Sequence, residues 1–354
     1  MSRKSDEARK PSMNQPLFVK LSLLATALAL VVVVLGAYVR LNNAGLGCPD
    51  WPGCYGHLTV PTSSHAVAKA DQAYPHRPVE AHKAWKEMIH RYFAGTLGLI
   101  VFALAAIAWW RRRHGVPDQL VGVPSFLVVL IVFQALLGMW TVTLLVSPPI
   151  VMAHLLGGMT TLALLWWLSL RQSGLLAAQG GVDQAIRRLR PWALAGLVIL
   201  VCQLALGGWT SANYAALVCP DFPTCQGQWW PHMDFSDAFT LWHTTGVNYE
   251  GGVLPNDARV AIHVTHRLGA LVTFLFLGTL GMATLRAPVG RAARRIGAVL
   301  LVVLLAQVSL GIANVELSLP LPVAVAHNGV AALLLLTVVA LNHSLRPRKT
   351  RTHI

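Results

Sequence analysis

Eight apolar runs leave this chain few ways to fold. Residues 18–39, 88–110, 119–145, 149–170, 191–213, 258–284, 294–318 and 321–343 are each long enough to cross about 30 Å of hydrocarbon. Lipid offers no partner for backbone N–H and C=O groups, so only helices or closed barrels span it, and these runs lack the alternation of barrel strands. The expectation is an all-α, polytopic membrane protein of eight transmembrane helices. Composition agrees, because 55% hydrophobic and 12% charged residues make 354 residues too apolar for a soluble domain.

A formal net charge of +14 invites a nucleic-acid reading, but the placement of charge matters more than its sum. One face collects Arg3, Lys4, Arg9, Lys10, Lys20, Arg111 to Arg113, Arg171, Arg187, Arg188, Arg190, Arg286, Arg291, Arg294, Arg295, Arg346, Arg348, Lys349 and Arg351. That is 20 of the 28 basic residues, against 8 on the other face, so the topology rule puts both termini in the cytoplasm and leaves no nucleic-acid partner. The basic leader of the first run is followed by no small-residue cleavage site before Arg40, which reads as a retained helix. The place implied is a bacterial inner membrane.

The runs form two copies. Gly36 and Gly207, like Cys48 and Cys219, are 171 residues apart; His90 and His266 are 176 apart; Gln134 and Gln307, and His154 and His327, are 173 apart. Each copy holds an even number of helices, so both enter the membrane in the same direction, which predicts two tandem four-helix bundles about a pseudo-twofold axis along the membrane normal. The boundaries expected are a cytoplasmic segment at 1–17, a first bundle at 18–170, a cytoplasmic linker at 171–190, a second bundle at 191–343 and a basic tail at 344–354. The outward connections, roughly 40–87 and 212–257, are too long to be structureless. Short interfacial helices capping the bundles are expected there, with Trp229, Trp230 and Trp242 as anchors.

Hydrocarbon tolerates histidine only where something binds it, and four lie at repeated positions: His90 and His154, then His266 and His327. Each falls in the outer third of an inward-running helix. Pro149 and Pro322 precede His154 and His327 by five residues, starting each helix and fixing the ligand about a turn and a half below. Two facing imidazoles per copy point to axial ligation of two haems. Zinc would need three or four ligands together, and each copy supplies two obvious ones. Arg91 and Arg267 directly follow two of the histidines, where guanidinium forks suit a porphyrin's propionates. The plainer reading is an arginine reaching for headgroups.

The copies differ at one position. Glu87-Met-Ile-His90-Arg91 is answered by His263-Val-Thr-His266-Arg267. Residues three apart share a helix face, so Glu87 can approach whatever His90 binds, where a carboxylate can move protons or stabilise a developing cation. The alternative is an ordinary first-turn acid exposed to water. The duplicated pocket reads as one that has split its roles.

Cys48-Pro-Asp-Trp-Pro-Gly-Cys54 and Cys219-Pro-Asp-Phe-Pro-Thr-Cys225 follow the first and fifth helices on the outer, oxidising side. Four cysteines allow three connectivities, of which two local loops are the simplest. Fixing a loop is the plain role, and a redox role beside an oxidation site the sharper one. Cys202, mid-helix in an apolar run, reads as a buried free thiol. QxxLG occurs at Gln134–Gly138, Gln203–Gly207 and Gln307–Gly311, whereas Gly36 has no glutamine four residues before it. These read as signals of close helix packing.

With ExxHR, two outward CPDxPxC loops and the pairs Ala153-His154 and Ala326-His327 in duplicated four-helix units, the chain resembles the haem A synthase family over roughly residues 18–343. The resemblance implies oxidation of the C8 methyl of haem O to a formyl group, in the assembly of haem-copper terminal oxidases. It implies that His266 and His327 hold a resident haem b, that His90 and His154 bracket haem O as substrate, and that Glu87 is the functional acid. The cysteine loops match only some branches of the family. No flavin or nicotinamide fingerprint is visible, so a quinone or redox protein is the expected electron partner, with haem O synthase and the oxidase assembly machinery as further partners. The chief rival is a di-haem b-type electron-transfer cytochrome, which leaves the exchange of Glu87 for His263 unexplained. A transporter would place its ionisable groups at midplane, and a farnesyl transferase would need a paired aspartate cluster.

Overall fold

The computed structural model describes residues 15–116, 119–176, 183–241 and 246–346. Trp242 and seven residues of the charge argument, Arg3, Lys4, Arg9, Lys10, Arg348, Lys349 and Arg351, lie outside them. The helices are α1 (Gln15–Leu41), α2 (Ser64–Ala73), α3 (Ala81–Arg113), α4 (Gly122–Thr143), α5 (Pro148–Ser173), α6 (Asp183–Ala212), α7 (Phe235–Ala238), α8 (Asn256–Arg286), α9 (Arg291–Glu316) and α10 (Leu321–Ser344). Eight of these are long and apolar enough to cross a membrane. Six begin and end within three residues of the apolar runs. α3 and α6 start about two turns early, because hydropathy sees only the part of a helix that lipid covers. Their first turns carry Lys83 and Lys86, and Arg187, Arg188 and Arg190. Pro191 lies inside α6 and does not end it.

The helices close into two rings. α3 touches α1 and α4, and α5 touches the same two; α8 touches α6 and α9, and α10 touches those two. Between the rings α5 meets α6 and α10, and α1 meets α10. Exchanging α1, α3, α4 and α5 for α6, α8, α9 and α10 carries α5–α10 onto itself and each of the other pairings onto another. α10 is the most enclosed, with half of its apolar window buried against 22–39% for the others. The core between helices is aliphatic, with Leu127, Leu162, Leu165, Leu277 and Leu300 fully buried. Outward-facing residues are equally apolar, such as Leu99 on α3 and Val302 on α9, exposed by 73% and 67%. That pattern suits a lipid surround, and Cys202 belongs to it. Expected to be buried, Cys202 is an exposed free thiol, because both the inner and the outer faces of such a helix are apolar.

Lipid tails supply no hydrophobic drive between helices, so association rests on close packing of small residues and on polar ties. α8 and α9 cross at Gly281 and Gly297, where each backbone carbonyl lies within 3.4 Å of a Cβ placed on the other glycine. At the seam Arg40 donates to the Ser211 carbonyl (2.6 Å) and lies 4.1 Å from the centre of the Tyr214 ring, whose hydroxyl donates to Asn43 Oδ1 (3.1 Å). Both hydrogen bonds join residues 171 apart, so repeat-equivalent positions meet one another.

The connections between α1 and α3 and between α6 and α8 fold into caps. In the first, α2 is capped by Ser63. Asp71 accepts from the Val79 N–H (2.7 Å), and the Tyr55 hydroxyl donates to the Pro78 carbonyl (3.1 Å). Burial pushes the Tyr55 phenol up to about 12. The second holds the single turn α7, whose Ala238 carbonyl accepts from Trp209 Nε1 (2.8 Å). Trp229 and Trp230 are exposed there, as interfacial anchors would be.

A leucine at the α8–α9 crossing has nowhere to go, since a Cβ at Gly297 meets Thr284 at 3.2 Å and the Gly281 carbonyl at 3.3 Å. Gly297→Leu is expected to destabilise the fold by about 1–3 kcal/mol, read as a lowered thermal midpoint in detergent. Gly95→Leu, where nothing lies within 4 Å, is the control and is expected to leave the midpoint unchanged.

Candidate haem-binding site

All four histidines sit near the N-terminal ends of their helices. His154 and His327 are the seventh residues of α5 and α10, each with proline in the first turn, and His90 and His266 are the tenth and eleventh of α3 and α8. The His90 and His154 rings are 6.5 Å apart between centroids, with planes at 80°. A metal bound between two imidazoles by bonds of about 2 Å holds the centroids roughly 6 Å apart, so this separation matches a shared iron. His266 on α8 and His327 on α10 stand at the equivalent places of the second ring of helices.

The other four long helices supply the floor. A Cβ on Gly36 of α1, Gly207 of α6 or Gly311 of α9 would lie 3.2 Å from Cε1 of His90, His266 or His327 respectively, and one on Gly138 of α4 would lie 3.6 Å from Cε1 of His154. Every ring therefore rests edge-on against bare backbone. The glycines of the QxxLG motifs do serve close packing, but what they pack is imidazole. Their glutamines reach the same rings: Gln203 Nε2 lies 3.0 Å from His266 Nδ1, and Gln307 Nε2 lies 3.2 Å from His327 Nε2. These six residues were not read as site residues. The available signal was the glycine present in all four helices, with twenty residues between glutamine and histidine in two of them.

His90, His154 and His327 each keep a buried Nδ1 with no hydrogen-bond partner, an expensive arrangement unless something else engages the ring. Among the described residues no three His, Cys, Asp or Glu side chains come together as a metal-ion cluster, which is what zinc would require. Paired imidazoles, a glycine floor and unsatisfied ring nitrogens fit a bis-histidine haem in each ring of helices.

Glu87 is not a water-exposed acid. It is 5% exposed; its Oε2 accepts from the Cys48 N–H (2.9 Å) and its Oε1 from Arg91 Nη2 (2.5 Å). At the equivalent place His263 is also buried and donates from Nδ1 to the Ala215 carbonyl (2.8 Å). Both side chains tie the start of a histidine-bearing helix to the loop before it, but only Glu87 brings an acid and only its loop partner is a cysteine of the disulfide.

The cysteines form the two local loops, Cys48–Cys54 and Cys219–Cys225. In each, an aspartate carboxylate receives two backbone N–H groups from residues with positive φ: Asp50 from Tyr55 and Gly56, Asp221 from Gln226 and Gly227. The Thr224 hydroxyl, together with those N–H groups, holds the Asp221 carboxyl below its usual range. Arg91 and Arg267, expected at the propionate edge, point their guanidiniums at these loops. Arg91 Nη1 donates to the carbonyls of Asp50 (3.0 Å), Pro52 (3.3 Å) and Gly53; Arg267 donates to those of Thr224 (2.7 Å), Asp221 (2.9 Å) and Cys219 (3.2 Å). Any hold on a propionate would come in addition to this clamp.

Residues 19–339 match the family model COX15-CtaA, described as cytochrome oxidase assembly protein. The heme A synthase of Shewanella oneidensis is 45% identical over 325 residues, covering 91% of this chain and 95% of that one. Those of Methylobacterium radiotolerans and Caulobacter vibrioides are 29% and 28% identical, over 89% and 92% of this chain and 86% and 95% of theirs.

The arginine clamp sets how readily a cysteine loop opens. A hydrogen bond from a charged donor contributes about 1.5–3 kcal/mol, and about 1.4 kcal/mol is tenfold in an equilibrium. Arg267→Ala is therefore expected to make Cys219–Cys225 reducible by external thiol at least tenfold faster, followed by maleimide labelling, while Cys48–Cys54 keeps its rate.

Proposed function

Because the chain belongs to the COX15-CtaA family of cytochrome oxidase assembly proteins, we propose that it is a haem A synthase, a membrane enzyme that oxidises the C8 methyl of haem O to a formyl group and so provides haem A for haem-copper terminal oxidases. The observation that carries this reading is a histidine pair built twice, with a buried carboxylate beside only one of them. His90 and His154 bracket the substrate haem O, and His266 and His327 hold a resident haem b. When bound, that haem supplies one-electron redox capacity.

The chain's own residues orient, enclose and handle protons. Glu87 lies one turn before His90 on the same helix face, with Oε1 directed by Arg91 and Oε2 by the Cys48 amide, so it is placed to hold or pass a proton beside the substrate. Arg91 and Arg267 keep the cysteine loops folded over the outer ends of the two rings. α2 adds to the first cap and excludes water. His263 fills the place of Glu87 where no chemistry on the porphyrin is needed. The two halves, 18–170 and 191–343, stand about a pseudo-twofold axis along the membrane normal. The protein lies in a bacterial inner membrane with both termini cytoplasmic, served by a quinone or redox protein and working beside haem O synthase and the oxidase assembly machinery.

The test is the porphyrin extracted from protein made in cells that supply haem O. Wild type is expected to yield haem A or hydroxylated haem O besides haem B. Glu87→Ala should keep its haem content but lose more than nine-tenths of the haem A, and His266→Ala should lose haem b. Haem B alone from wild type would identify an electron-transfer cytochrome instead. Full product from Glu87→Ala would remove that carboxylate from the chemistry.

A further inference from the structure

The two halves hold their imidazoles with unequal firmness. In the second half, the Gln203 carboxamide reaches both His266 Nδ1 (3.0 Å) and the carbonyl oxygen of the same residue (3.1 Å), whereas Gln307 Nε2 meets His327 at Nε2 (3.2 Å) and leaves its Nδ1 unpartnered. In the first half, the offset of 171 that pairs Gly36 with Gly207 puts Val32 where Gln203 stands. A valine side chain can neither donate nor accept. His90 Nδ1 is left buried with no side-chain partner, and what adjoins the ring is the Val32 main chain. Gln134 occupies the place of Gln307, its Nε2 packed against the bare backbone of Gly157 without a hydrogen bond, but here the rings themselves agree, since Nδ1 of both His154 and His327 is buried and unpartnered.

A ring whose second nitrogen is hydrogen-bonded has its rotation and tautomer fixed, and such outer partners change metal affinity by about 10–100-fold. We propose that Gln203 is a positioning residue that locks the His266 imidazole onto a haem that stays, and that Val32, with no side-chain bond to offer, holds His90 less firmly so that the first half can take up haem O and release its product. This rests on the assignment of resident and substrate halves made above, and deepens it. A catalyst that kept both porphyrins equally tightly would stop after one turnover; one that held both equally loosely would lose its cofactor with its product. The difference is written in one residue of α1.

The experiment is haem release to excess apomyoglobin from protein purified from cells that make haem O, with EPR and redox titration of the same samples. Wild type is expected to release in two phases at least tenfold apart, the slow one absent in His266→Ala. Gln203→Val should speed the slow phase about 10–100-fold, and shift the midpoint potential and low-spin EPR signal of that haem while leaving the other unchanged. Val32→Gln should slow the fast phase about tenfold and leave product haem bound. Circular dichroism checks that each variant folds, and the wild-type phases test the inference even where a variant does not. A single wild-type phase, or variant rates within twofold of wild type, overturns it. Haem b retained in full by His266→Ala would instead overturn the assignment of the halves.

Discussion

An imidazole placed in hydrocarbon must be engaged, or the fold that buries it carries the cost of desolvating a polar group for nothing. Four such rings lie near the N-terminal ends of their helices in this protein, and the rest of the architecture can be understood as what is needed to present them. Proline in the first turns of α5 and α10 sets the height of two. Glycines on α1, α4, α6 and α9 clear a flat place for each ring, and glutamines on α6 and α9 reach two of the rings. The aliphatic core below contributes packing but no chemistry.

Duplication produces this economy and then departs from it. Where the halves agree, in the disulfide loops, the aspartate that caps each loop and the arginine that clamps it, the shared task is mechanical: closing the outer end of a four-helix ring. Where they disagree, the difference is chemical. Glu87 faces His263 across the repeat, and Val32 faces Gln203. Both exchanges fall beside a repeated histidine, Glu87 and His263 one turn before it on the same helix. A repeat can thus specialise by changing the surroundings of a ligand while the ligand itself stays constant.

Much of this was legible in the residues alone, and the exceptions have physical causes. The spans, their number, the histidine pairs and the local disulfide loops follow from transfer energetics and from repetition. The early starts of α3 and α6 did not, because a helix protruding into the interface is no longer apolar. Cys202 was placed inside when it faces outward, since a membrane helix is greasy on both sides and periodicity loses its meaning. The partners of Arg91 and Arg267 were invisible because a loop carbonyl leaves no mark in a sequence. QxxLG was recognised as a packing motif, but what it packs against depends on which helices become neighbours.

His154 and His327 are carried by α5 and α10, which pack against each other where the two rings join. A porphyrin held by each histidine pair, as proposed, would have the packed side chains of these two helices between it and its neighbour, so that one substitution in that interface would be felt by both centres.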